Sequence, residues 1–369
     1  RNQHGYWNDQ PAEIPFIIKP PFWTTAWFIA LCIVVLIVLL YIFYKQRIRL
    51  LERQKEKLEI TVNERTAEIN QQKEEITAQR DEIETHRDLV LEQRDEIMKI
   101  NNELTDSIQY ASRIQTSVVV PEEVISREFN DFFMIYRPRD IVGGDFYWFH
   151  KNENSCLIAV VDCTGHGVPG AFMTMLANSA LNRIAEDICN DDPGRILQEL
   201  NKNIRYTLHQ DTKKAQSDDG MDVAICYCEP ENKKIIFSGA KLPLYLLYND
   251  KIHIIRGDKQ SIGYHNSKED FEYTNHEIEL SGNEILYMSS DGFIDTPVGK
   301  KRIPMGKKKF SKILSDISKK SIEAQKSELE KVLSNSLKEE KQRDDITVIG
   351  FKIGKLSSAG EGFKDLTGF

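Results

Sequence analysis

VVDCTGHGVPGAFMTML, residues 160–176, holds the change of pattern that decides the fold. A buried, β-branched run delivers one acidic side chain, Asp162, into a glycine-rich turn, and helical spacing begins beyond it. Three other stretches place acids the same way. VGGDFYWF (142–149) sets two glycines, which let the backbone approach a ligand closely, directly before Asp145. LYMSSDGF (286–293) brings Asp291 off the end of a strand, and QRDDITVIGF (342–351) puts Asp344 and Asp345 just ahead of another. Acids gathered at strand ends cost free energy together unless a cation neutralises them. Oxygen-only ligands point to Mg2+ or Mn2+ rather than zinc.

Working outward, the pattern after Pro121 predicts strands at 132–136, 146–149, 156–161, 223–228, 234–237, 244–247, 252–255, 284–288 and 346–351. Helical spacing runs over 172–189, 194–209, 310–317 and 321–337. Strands open and close this region with helices between them, the look of a folded α/β domain.

Together with FSGAKLPLYLL (237–247), these motifs resemble, in order and spacing, the PPM (type 2C) protein serine/threonine phosphatases of the bacterial SpoIIE and RsbU branch. The resemblance covers roughly 118–353. It implies an α-β-β-α sandwich and a binuclear centre of two Mn2+ or Mg2+ ions that activates water, with no protein nucleophile. Carried over by motif, Asp162 bridges the metals and the backbone carbonyl of Cys163 helps to bind one of them. Asp291 and Asp344 hold the other, and Asp145 acts near the first. Asp345 and Gly144 are further candidates beside them, and the family pattern favours Asp344 over Asp345. Arg137 and Arg139 are candidate phosphate ligands. His166, between two glycines, reads as a turn residue more readily than as a general acid, and Asp222 has no assigned role. The implied substrate is phosphoserine or phosphothreonine on a regulatory protein, an anti-anti-sigma factor being the first expectation.

Upstream, FWTTAWFIALCIVVLIVLLYIFY (22–44) carries no charge and is long enough to span a hydrocarbon core of about 30 Å. Trp23, Trp27, Tyr41 and Tyr44 lie toward its ends, as interface residues do. Lys45, Arg47, Arg49, Arg53, Lys55 and Lys57 follow, against Lys19 before it, so the positive-inside rule places everything after Tyr44 in the cytoplasm. Residues 1–21 read as an extracytoplasmic segment similar to the end of the β-sandwich (Y_Y_Y-type) of propeller-bearing bacterial sensors. The opening Arg1 is consistent with a chain that continues a longer protein. The expected location is the bacterial inner membrane, crossed once.

From 45 to 117 the chain reads as a coiled-coil signalling helix. Val62, Ile69, Ile76, Ile83, Val90, Ile97 and Leu104 recur at a strict heptad interval, predicting a parallel left-handed homodimer. The companion position holds Arg65, Gln72, Gln79, His86 and Gln93, which leaves alternative registers close in energy. Ser107–Gln115 is similar to the helix that joins such coils to this phosphatase type. Residues 354–369 are expected to form a flexible tail.

The net charge of −8 argues against a nucleic-acid binder. Cys32, Cys156, Cys163, Cys189, Cys226 and Cys228 lack zinc-type spacing. A catalytically silent phosphatase-like binding module is the competing reading, against which the complete aspartate set speaks. No base-reading motif supports a nucleotide cyclase or phosphodiesterase, and no glycine-rich nucleotide lid supports a histidine kinase.

Overall fold

The computed structural model describes residues 21–187, 191–212, 215, 217–298, 303–338 and 341–354. The expectations for the extracytoplasmic segment before Pro21, for the tail beyond Gly354 and for Cys189 lie outside the described residues. The chain divides into two units at Ile97 and Met98.

In the first unit the apolar run opens with a 3-10 turn, Phe22–Thr24, and the helix proper, α1 (Ala26–Ser117), starts at Ala26 rather than Phe22. Thr25 is extended and its side chain bonds back to Phe22 O, so the first turn closes on itself before the helix begins. The apolar stretch of α1 is long enough to cross a membrane, and nothing in the described chain covers it. The heptad residues from Val62 to Ile97 are exposed in the same way. An apolar stripe is stable in water only against a partner surface.

The second unit is a sandwich of two five-stranded antiparallel sheets. One sheet has the order β2 (Asp145–Lys151), β3 (Cys156–Cys163), β4 (Met221–Glu229), β5 (Lys234–Ala240), β8 (His276–Glu279). The other has the order β1 (Phe129–Arg137), β12 (Ile346–Ile353), β9 (Ile285–Ser289), β6 (Leu244–Tyr248), β7 (Lys251–Ile255). Strand β3 is apolar on both faces because both are covered. Cys156, Ile158 and Val160 enter the core between the sheets, and Leu157, Ala159 and Val161 pack beneath two helices.

Those helices are α3 (Gly167–Asp187) and α4 (Pro193–Thr207). Helix α3 presents Met173, Ala177, Ala180, Leu181 and Ile184 along one stripe. Helix α4 starts where Asp192 accepts from Arg195 N at 3.0 Å, with Pro193 in the first turn. On the far face α5 (Asp291–Asp295), α6 (Gly306–Ile317) and α7 (Ile322–Leu337) close a third core around Phe293, Phe310, Leu314 and Leu329. Layer order is therefore α-β-β-α, as the resemblance implied. The strands expected from the sequence all form, within three residues at their ends. The edge strand β8, the short helices α2 (Glu122–Ser126) and α5, and the β10–β11 hairpin (Pro297–Val298, Ile303–Pro304) went unanticipated.

Candidate active site

Register places the acids. In the first sheet Asp145 pairs with Asp162 across β2 and β3, and Asp162 pairs with Asp222 across β3 and β4. Directly opposed residues point to the same face. Here that face looks into the sandwich, since Tyr147, Val160 and Ala224, two residues further along their strands, belong to the inter-sheet core. Three carboxylates thus form a row across the end of that core. The second sheet supplies Asp291 just past β9 and Asp344 and Asp345 just before β12.

Several hydrogen bonds tie the sheets together at this end. Asp291 N donates to Asp162 Oδ2 at 3.3 Å, and Thr347 Oγ1 donates to Asp145 Oδ2 at 3.0 Å. The neighbouring acids 344 and 345 differ sharply. Asp345 is buried, and its carboxylate accepts from Arg139 N and Gly144 N at 2.6 Å each and from Asp145 N at 3.4 Å. Asp344 is exposed, and its Oδ1 accepts only from the Asp345 amide, at 2.9 Å, among the described residues.

The electrostatics are those of a cluster of buried acids. Burial is the first cause that pushes Asp145 up to about 8, with Asp345 and Asp344 adding to it against the hydrogen bonds from Ser290 and Thr347. Burial, then Asp145 and Asp291, raise Asp162 well above the ordinary carboxylate range. Asp291 is raised by burial and then by Asp344. The leading charged influences on all three are other carboxylates. Such a set fits a hard divalent cation, which would replace repulsion by attraction at every member. No three acidic, histidine or cysteine side chains among the described residues stand close enough together to hold a metal ion as they are placed.

A family model described as Stage II sporulation protein E (SpoIIE) matches residues 152–354, more than half of the chain. The chain belongs to the SpoIIE family. The SiaA-PP2C domain of Pseudomonas aeruginosa has 33% sequence identity and a TM-score of 0.62, the match covering 69% of this chain and 98% of that one. A structure of the PP2C domain of SpoIIE from Bacillus subtilis, with a fragment of its regulatory domain, matches at 17% identity and a TM-score of 0.49, covering 62% and 64%. The phosphoserine phosphatase RsbU of Bacillus subtilis (strain 168) is 28% identical over 112 residues, 30% of this chain and 32% of that protein. That match spans about a third of RsbU. The second unit is thus a SpoIIE-family phosphatase domain with a PP2C-type α+β fold, and phosphatases of this family depend on metal ions.

The glycines of the SpoIIE-family motifs have a steric reason here. A Cβ on Gly144 would stand 2.2 Å from Gly165 O and 3.1 Å from Cys163 O. One on Gly170 would stand 2.4 Å from the same Gly165 carbonyl. The backbones of the loops carrying Asp145 and Asp162 therefore interlock directly, with Cys163 N donating to Gly144 O at 3.4 Å.

Of the remaining candidates, Arg139 turns to the protein itself, its guanidinium donating to Arg343 O at 3.0 Å. Arg137 ends β1, and its carbonyl accepts from Gln342 Nε2 at 2.8 Å. His166 is more than a turn residue, since Nδ1 lies 3.0 Å from Asp140 Oδ2, a link between the two glycine loops. Asp222, unassigned from the sequence, completes the acid row. Ser261 Oγ donates to it at 2.5 Å, burial raises its pKa, and Lys241 and Lys307 oppose that rise. Only its place opposite Asp162 reveals it, and pairing across sixty residues leaves no local signal.

One titration follows. A carboxyl raised in the fold destabilises its charged form, so the metal-free protein loses stability as pH climbs from the ordinary carboxylate range to about 8. Metal binding must expel the proton. Calorimetry in buffers of different ionisation enthalpy is expected to show proton release on Mn2+ binding at pH 7, and the apparent affinity is expected to rise between about pH 6 and pH 8. A pH-independent affinity would contradict it.

Proposed function

We propose that this chain is a metal-dependent phosphoprotein phosphatase acting on phosphoserine or phosphothreonine of a regulatory protein, with an anti-anti-sigma factor as the first substrate to try. One observation carries the reading: in a SpoIIE-family domain, both sheets bring aspartates to the same end of the inter-sheet core. Asp145, Asp162 and the Cys163 carbonyl would hold one cation, and Asp162, Asp291 and Asp344 the other. When bound, two Mn2+ or Mg2+ ions would lower the pKa of water and offset the charge of the transferring phosphoryl group. The chain's own part is to fix the carboxylates through Thr347 and the Asp291 amide, and to keep the Gly143–Asp145 loop pressed against the Cys163–Gly165 turn. Nothing in this arrangement calls for a protein nucleophile.

The same reading gives the first unit its task. Its uncovered apolar run and the basic residues after it support a single crossing of the bacterial inner membrane with the phosphatase in the cytoplasm. The exposed heptad stripe supports a parallel homodimer that passes a change of register downward. The deciding assay is phosphate release from a phosphoserine peptide by the full chain in detergent with Mn2+. Metal binding without any turnover would instead favour a silent binding module. If the coil controls the enzyme, Gln79→Leu and His86→Leu, which repair polar seam positions, should each shift turnover by about fivefold or more in either direction. Unchanged turnover in both would reduce the coil to a spacer.

A further inference from the structure

Among the described residues of α1 a single one is buried, and it is polar: Gln115, 6% exposed, near the end of the helix. A buried carboxamide costs free energy unless its donors and acceptors are met. Here both ends meet one residue of the site. Gln115 Nε2 donates to Gly143 O at 2.7 Å, and Gly143 N donates back to Gln115 Oε1 at 3.4 Å.

Every backbone polar atom of the Gly143–Gly144 pair has a partner, Gly144 O accepting from Cys163 N as described above. Thr174 Oγ1, from α3, also reaches Gly143 O at 3.2 Å and Gly144 O at 3.1 Å, while Gly144 N donates to Asp345. A Cβ at Gly143 would sit 3.0 Å from the Asp345 carboxylate, so the pair fills its slot. Three side chains from three distant parts of the chain therefore hold one dipeptide, and the next residue is Asp145. Thr174 and Asp345 belong to the sandwich. Gln115 alone comes from the helix that leads in from the coil, and Asn178 Nδ2 fixes the chain just after it through Val118 O at 3.3 Å.

We propose that Gln115 is a positioning residue: its carboxamide clamps the Gly143–Gly144 peptide and so sets the place of Asp145, making the end of α1 a required part of the metal site. The inference rests on the metal-site reading only for its consequence. The clamp itself is a statement about backbone order.

The test uses the full chain in detergent with two near-isosteric variants. Gln115→Leu removes both hydrogen bonds. Gln115→Glu replaces the donor to Gly143 O by an acceptor. Hydrogen exchange of the metal-free proteins is expected to be about tenfold faster or more in the segment containing Gly143–Asp145, and unchanged in β4 and β5. The Mn2+ dissociation constant is expected to rise about ten- to a hundredfold, the range found when groups that orient metal ligands are lost. A folded variant of either kind with wild-type exchange at Gly143–Asp145 overturns the proposal, as does loosening spread evenly over the sandwich. If the wild type binds no Mn2+, the metal-site reading falls while the exchange result still decides the clamp. Should Gln115→Leu not fold, Gln115→Glu carries the same two readouts.

Discussion

Asp162→Asn is expected to lower phosphate release by at least about a thousandfold while leaving the metal-free fold as stable as the wild type or more so. Asp162 stands mid-row, between Asp145 and Asp222 in register, and accepts from the Asp291 amide. Asparagine keeps the shape and one acceptor for that amide. It loses the charge on which two cations would depend. The same charge is a liability without metal, because burial and two neighbouring acids raise the folded-state pKa of Asp162 above that of the unfolded chain. At neutral pH the neutral side chain removes that penalty. Turnover and thermal melting in EDTA check the two halves separately. A variant as active as the wild type would remove Asp162 from the site, and one that melts far lower would make its role architectural.

The second large effect separates Asp344 from Asp345. Asp344→Asn is expected to weaken Mn2+ binding and turnover strongly while moving the melting temperature little, since its exposed side chain accepts, among the described residues, only from a neighbouring amide. Asp345→Asn should do the reverse. One carboxylate oxygen accepts from Arg139 N and the other from Gly144 N and Asp145 N. An amide at this position must turn its NH2 toward one of those donors. Leaving a buried N–H facing another donor costs about 3 kcal/mol, which for a domain of this size lowers the melting temperature by roughly 10 °C. Equal thermal losses in the two variants would refute the assignment.

This pair also shows where sequence reading stops. The acids were visible because each lies at the end of an apolar run, and all but Asp162 stand beside a glycine or another acid, a local signal. The sandwich was visible because its strands are apolar runs and its helices carry apolar stripes. Which acid of a pair faces the site depends on contacts with Arg139 and Gly144, two hundred residues away in the chain. Asp222 was hidden for the same reason, and Gln115 more so, since a glutamine near the end of a polar helix looks like any solvated residue. Strand β8, reading His-Glu-Ile-Glu, was missed because an edge strand with one wet face has little apolar content to announce it.

The strand order of the second sheet also bears on biosynthesis. β12, the last element described, does not sit at an edge; it lies between β1, the first strand, and β9. During translation the segment Phe129–Arg137 must wait for more than two hundred residues before its partner emerges, and until then it has an open hydrogen-bonding edge. Long-range pairing of this kind slows folding and exposes chains to aggregation. Truncation anywhere upstream of Asp344 removes the partner of two strands at once and the acids Asp344 and Asp345 with them. The second sheet can therefore close only after β12 has emerged, and a copy terminated before Asp344 lacks both that inner strand and the two acids ahead of it.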